Sequence, residues 1–217
     1  MTAEKPGLII HKPEKIFLGL ILGAIAPFFC FLSGWWGAYL FAPENQIPIF
    51  MLAGLGLGIV IDLLFLGQWV RLAYQIPPII LIAIYLFYSI GIFGFCMGVP
   101  VLNIGMGLLA GFYIGRRLGL ENGSYEEKQR NIHWTGLLAS FVLAVACLAA
   151  LALAAGETSL AANINGMLHD LIGLNTSFDN QTILILASLA GVGMVVGEYY
   201  LTGVAAKSLI GQGEINR

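Results

Sequence analysis

The sequence predicts an all-α membrane protein: six transmembrane helices in a glycine-rich bundle, both termini cytoplasmic, with an outer amphipathic surface helix between the fifth and sixth spans. Three observations predict it. The 217 residues are 59 % apolar and only 10 % charged, whereas soluble domains carry about 25 % charged residues. Mean hydropathy is +0.87, and the apolar runs recur at roughly 20 residues, the length that crosses a bilayer's hydrocarbon. The positive charges, finally, all fall in alternate connections, as the positive-inside rule requires.

Residues 1–15 carry Lys5, Lys12 and Lys15 together with Pro6 and Pro13, which reads as a cytoplasmic tail. The first span covers 16–41. It is far longer than the roughly 7–15 apolar residues of a signal peptide, so it is expected to be retained. Pro27 lacks a backbone donor and is expected to kink it, and Trp35 and Trp36 read as an interfacial aromatic belt. After a short polar turn the second span covers 47–67 and leaves the membrane at Gln68, Trp69 and Arg71.

The third span runs over 76–96 from the Ile76-Pro77-Pro78 start, with Tyr85, Tyr88 and Ser89 near mid-depth. Three- and four-residue spacings put Tyr85 on one face with both of the others. Such a patch either packs helices together or lines a cavity. Met97-Gly98-Val99-Pro100 reads as a tight hairpin into the fourth span, 101–116, where Gly107, Gly111 and Gly115 fall four apart and make a smooth stripe for close contact. Asn103 near its start must face protein or the outer boundary. The charged stretch from Arg116 to Arg130 reads as a solvated loop, and the fifth span covers 135–155.

Between the fifth and sixth spans, Leu160, Ile164, Met167, Leu168, Leu171 and Ile172 recur on one helical face, predicting a surface helix. It reads either as a cover on the bundle or as a gating lid. The sixth span covers 182–206, and 207–217 form a second cytoplasmic tail. Lys5, Lys12, Lys15, Arg71, Arg116, Arg117, Lys128, Arg130, Lys207 and Arg217 are all ten of the chain's Lys and Arg residues, and every one lies on the side assigned to the cytoplasm.

The second, fourth and sixth spans share a Gly-x-Gly-[Leu/Met] pattern. Glycines at 54, 56 and 58 precede Asp62, and Gly191, Gly193 and Gly197 precede Glu198. Small residues let backbones approach, and an acid inside a span points to function. At 1.5 Å rise per residue both acids fall somewhat to the cytoplasmic side of mid-membrane, where they could occupy one site. Each is expected to be protonated or paired, because desolvation disfavours the charged form; Arg71, Arg116 and Arg117 are the candidate partners. Asp62, Glu198, Tyr85, Tyr88 and Asn103 are the candidate lining of a substrate or ion path. The opposite reading has the acids pairing with arginines and fixing helix packing.

Other chemistries find no support. Cys30, Cys96 and Cys147 lie within apolar runs without metal-like spacing and read as buried apolar residues. No basic patch would neutralise nucleic-acid phosphates, no mid-membrane histidine would hold a haem, and no glycine loop followed by lysine would cradle a nucleotide. Intramembrane protease signatures are missing as well, and no cofactor is expected. What stays in front is a small-molecule or ion transporter, or the substrate-binding membrane subunit of one. The length and six-span count are similar to those of the substrate-binding subunits of energy-coupling vitamin transporters, a similarity of size and topology with no motif behind it. The alternative is a scaffold or assembly subunit that uses its glycine stripes to meet a membrane partner or a second copy of itself; a lipid-processing enzyme comes third. Short loops point to the plasma membrane of a prokaryote, whereas Asn175-Thr176-Ser177 and Asn180-Gln181-Thr182 would be glycosylation acceptors in a secretory compartment.

Overall fold

A computed structural model describes residues 12–96, 98–121, 123–173 and 177–215. Lys5, Pro6, Met97 of the hairpin turn, Asn175, Thr176 and Arg217 lie outside the described residues, as do the side chains of Leu171 and Ile172. Every long element is an α-helix, and the described residues contain no strand. Five helices, Glu14–Phe41, Glu44–Gln75, Pro78–Phe95, Tyr125–Gly156 and Asn180–Ile210, are long and apolar enough to cross a membrane. Their outward faces carry large apolar side chains such as Leu63 at 82 % and Phe95 at 85 % exposure. A water-soluble surface rarely presents such continuous apolar area, and the bundle is compatible with an integral membrane protein. The chain divides into two compact units between Leu81 and Ile82.

In the first unit α1 (Lys12–Gly23) and α2 (Ile25–Phe41) follow one another across a one-residue turn at Ala24. The helix is thus interrupted three residues before Pro27, which has no N–H to give to the carbonyl of Gly23. The neighbouring bonds survive, from Ala24 N to Leu20 O and from Phe28 N to Ala24 O, both 3.2 Å. Helix α1 begins at Lys12, so the end of the expected tail is helical. Helix α3 (Ile47–Leu72) runs five residues beyond its predicted end and carries Arg71 in its last turn.

Helices α2 and α3 are antiparallel and touch through glycine. A Cβ at Gly34 would lie 2.4 Å from the carbonyl oxygen of Phe50, one at Gly54 2.3 Å from that of Cys30, and one at Gly58 2.3 Å from Cα of Pro27. No other residue fits these three positions without moving backbone. Gly56, on the opposite face, meets nothing within 4 Å. The end of the unit is tied back to its start by Tyr74, whose hydroxyl donates to Glu14.

The second unit takes most of α4 (Pro78–Phe95), then α5 (Asn103–Leu120), α6 (Tyr125–Gly156), α7 (Leu160–Ile172) and α8 (Asn180–Ile215). Gly98 has φ +82° and turns the chain from α4 towards α5, a backbone region that favours glycine. Helix α5 holds Asn103, Arg116, Arg117 and glycines at 105, 107, 111, 115 and 119 in 18 residues. It is absent from the five apolar helices for that reason, and it packs against both α8 and α6.

Further boundaries in this unit differ from the sequence expectation, and α5 ends at Leu120 where 116 was expected. Helix α6 starts ten residues early, at Tyr125, because Ser124 and Glu127 form a capping box: the Ser124 hydroxyl accepts from Glu127 N (3.3 Å) and the Glu127 carboxylate from Ser124 N (3.2 Å). This satisfies two of the helix's orphan donors, so most of the expected charged loop is helical. Helix α8 continues through Lys207 to Ile215, where a tail was expected. Helix α7 forms where the apolar periodicity predicted it and ends on Gly173 at φ +70°. Asn165 clamps the chain returning from it, donating to the Phe178 carbonyl (2.8 Å) and accepting from Phe178 N (2.9 Å).

Helices α5 and α8 are parallel. The Cβ positions of Gly107, Gly111 and Gly115 meet Thr202, the Thr202 carbonyl oxygen and the Ala206 carbonyl oxygen at 2.8, 2.4 and 2.3 Å. Replacing Gly111 by Ala should cost about 1–3 kcal/mol, whereas Gly105→Ala, on the open face of the same helix, should stay within about 0.5 kcal/mol. Melting of the two variants in detergent checks this; equal effects would disprove the close contact.

At the start of α8, Asp179 accepts from the Thr182 hydroxyl and from Thr182 N (3.3 Å), and the hydroxyl bond first of all holds its carboxyl below the usual range. A depressed folded value means that its contribution is complete above the unfolded value near pH ~3.9 and is lost as pH falls through the folded value. Amide-exchange protection at Thr182 and Ile183 should therefore drop in that acidic window, and in Asp179→Ala it should be low at every pH. Protection in the variant equal to wild type would contradict the cap.

Candidate functional site

Helix α8 turns Glu198 and Thr202 to one face, since residues four apart are neighbours on a helix. That face is the one pressed against α5, and both residues are completely enclosed, at 0 % exposure. Across from them α5 presents Gly107, which has no side chain. A Cβ there would lie 2.5 Å from Glu198 Oε1, 2.6 Å from its Cγ and 2.8 Å from Thr202 Oγ1. The carboxylate and the hydroxyl thus occupy the notch that glycine leaves.

Helix α4 supplies the next wall. The Tyr85 hydroxyl donates to Glu198 Oε1 at 3.3 Å. One turn along α4, Ser89 meets Asn103, whose Nδ2 donates to the Ser89 carbonyl at 3.1 Å; both residues are 2 % exposed. Asn103 is four residues before Gly107 on α5, so the Ser89–Asn103 layer sits one turn from the Glu198–Thr202 layer. The third wall is α6, antiparallel to α8, with Gly136 against Tyr199 and Cys147 against Gly191. Ser140, buried one turn beyond Gly136, falls between those two contacts, and Cys147 is close enough to interact electrostatically with Glu198.

These groups are not satisfied by one another. Glu198 Oε2, Thr202 Oγ1, Asn103 Oδ1, Ser89 Oγ and Ser140 Oγ are buried with no hydrogen-bond partner among the described residues. An unmade buried hydrogen bond costs about 1–3 kcal/mol, more when the group is charged. No described Lys, Arg or His hydrogen-bonds or ion-pairs with Glu198. The arrangement is one enclosed carboxylate with the Thr202 hydroxyl beside it in the glycine notch, and further unpartnered oxygens on neighbouring turns; chemically the pair could accept a cation or a hydrogen-bond donor.

Of the residues singled out in the sequence, Glu198, Tyr85 and Asn103 come together here. Tyr88 lies elsewhere on α4, half-buried, with its ring edge-on to Phe87 at 5.6 Å. Arg116 and Arg117 are level with Ala206 of α8, eight residues or about 12 Å along the helix from Glu198, and Arg117 pairs with Glu121 at 3.0 Å. Arg71 is exposed at the end of α3 in the first unit. On α8, Gly191 meets Cys147 at 3.5 Å, while Gly193 and Gly197 meet nothing within 4 Å. The sequence reading passed over Thr202 and Ser140. The four-residue step from Glu198 to Thr202 was the available signal for the first; nothing marked the second.

Asp62 belongs to the first unit. Its Oδ1 is enclosed without a partner among the described residues, and its Oδ2 lies 3.6 Å from the Cβ position of Gly23, beside the turn at Ala24. It is half-buried, against the complete enclosure of Glu198. A cavity of about 250 Å³ opens elsewhere between α6 and α8, lined among others by Gln129, His133, Tyr199 and Lys207. His133 Nδ1 shares a hydrogen bond with the Tyr199 hydroxyl there at 2.8 Å. Glu198 does not line it. No protein-family model, no curated protein and no solved structure matches the chain.

Proposed function

We propose that the chain is an integral membrane protein that binds and moves an ion or small molecule, as a transporter or as the substrate-binding membrane subunit of one. The observation that carries this reading is Glu198, a carboxylate closed off from solvent and given no basic partner among the described residues. Enclosing such a group costs several kcal/mol, and an acid inside a membrane span is a functional site by default. A packing role would have been served better by an apolar residue.

The topology that goes with this reading has six spans. Helix α5 joins the five apolar helices, with Asn103, Gly107, Gly111 and Gly115 turned to protein. Its 18 residues reach about 27 Å, close to the roughly 30 Å of a bilayer's hydrocarbon. Both termini are then cytoplasmic, in the plasma membrane of a prokaryote, and α7 lies on the outer face. A second reading, a scaffold or assembly subunit, draws on Gly56 of α3 and Gly193 of α8, which have open space beside them where a partner helix could approach.

Thermal stability of the purified protein against a panel of cations and metabolites separates the two. Transport predicts a ligand that raises the melting temperature of wild type and fails to do so in Glu198→Gln, with Asp62→Asn as the comparison in the first unit. A panel without effect on wild type, together with a membrane protein that co-purifies in fixed ratio, would favour the scaffold.

A further inference from the structure

Resting on the reading of Glu198 as a ligand site, we propose that its ligand is a single dehydrated alkali cation, Na+ or one of its size, held between Glu198 and Thr202 in the notch at Gly107. Three features of the site select this chemistry. Every orphaned atom is an oxygen, a hard ligand, whereas transition metals favour nitrogen and sulfur; the described residues contain no group of three His, Cys, Asp or Glu side chains that could hold such a metal. The site has one carboxylate, so a monovalent ion leaves it neutral while a divalent ion would leave an excess positive charge at membrane depth. And its glycine side lacks room for a methyl group, since a Cβ on Gly107 would sit 2.5 Å from Glu198 Oε1, which disfavours an organic cation.

A proton is the strongest competitor, and the count of orphans argues against it. One proton on Glu198 Oε2 supplies a donor with no acceptor among the described residues in hydrogen-bond reach, and it leaves Thr202 Oγ1 still unmet. A cation draws on several oxygen lone pairs at once. The groups that meet Glu198 from the packed elements are Tyr85 from α4 and Gly107 from α5, with Thr202 beside it on α8 itself. None of them brings a positive charge.

Equilibrium binding of radioactive Na+ to the purified full-length protein in detergent tests this. The expected result is saturable binding near one ion per chain, displaced by unlabelled Na+ and not by choline. Glu198→Gln should abolish it, and Thr202→Val, which keeps the side chain's shape and removes its oxygen, should weaken it about tenfold. Thr202→Val carries the test on its own should Glu198→Gln not fold. Absence of saturable binding, or binding unchanged in folded variants, overturns the proposal. If Na+ does not bind while acid pH or another ligand still gives a Glu198-dependent rise in melting temperature, only the choice of ion falls. If no ligand effect depends on Glu198, the reading of the site falls with it.

Discussion

The contact between α5 and α8 is what the second unit depends on. In lipid no hydrophobic force draws helices together, because the tails are as apolar as the side chains, so association rests on close van der Waals packing. Gly111 and Gly115 make that packing possible by letting the α8 backbone come within 2.4 Å of where a Cβ would be, and Gly107 leaves room for the Glu198 and Thr202 side chains. The same approach encloses the α8 face, and that face carries Glu198 and Thr202. Packing and site are thus one feature of the sequence.

The first unit uses the same device with a different outcome. Gly34, Gly54 and Gly58 bring α2 and α3 together, and Asp62 lies one turn beyond Gly58. There the acid remains half-buried beside the turn at Ala24. In the second unit Glu198 is fully enclosed against Gly107 and Tyr85, and five side-chain oxygens on four helices, its own Oε2 among them, are left without partners among the described residues. Unmet buried polar groups cost stability, and the glycine-mediated contact beside them is the packing that can offset it.

Much of the fold was legible because membrane helices announce themselves by length and apolarity. The helices themselves, the α4–α5 turn at Gly98 and the amphipathic α7 all follow from patterns in the chain. The boundary errors have local causes. Ser124 and Glu127 form a capping box that the charge of the neighbouring residues obscured, and the polar residues after Lys207 continue α8 although composition suggested a tail. Glu198 stood out as an acid in an apolar run, and Tyr85 and Asn103 as polar residues in neighbouring spans. What the sequence could not supply was depth. The fully buried Thr202 and the nearly buried Ser140 look like ordinary small polar residues, and only the register of α8 against α5 and α6 gives them a role. The same register leaves Arg116 and Arg117 level with Ala206, two turns from the acid that they seemed suited to pair with.

The central claim is that Glu198 is held uncompensated for the sake of a ligand. The most direct measurement is the melting temperature of wild type beside Glu198→Gln, each in choline and in Na+ buffer of equal ionic strength. An enclosed carboxylate without its cation costs stability, so the neutral isostere should melt above wild type in choline, and Na+ should close or reverse the gap by stabilising wild type alone. A Glu198→Gln protein that melts below wild type by the same margin in both buffers would contradict the claim and make Glu198 a packing residue.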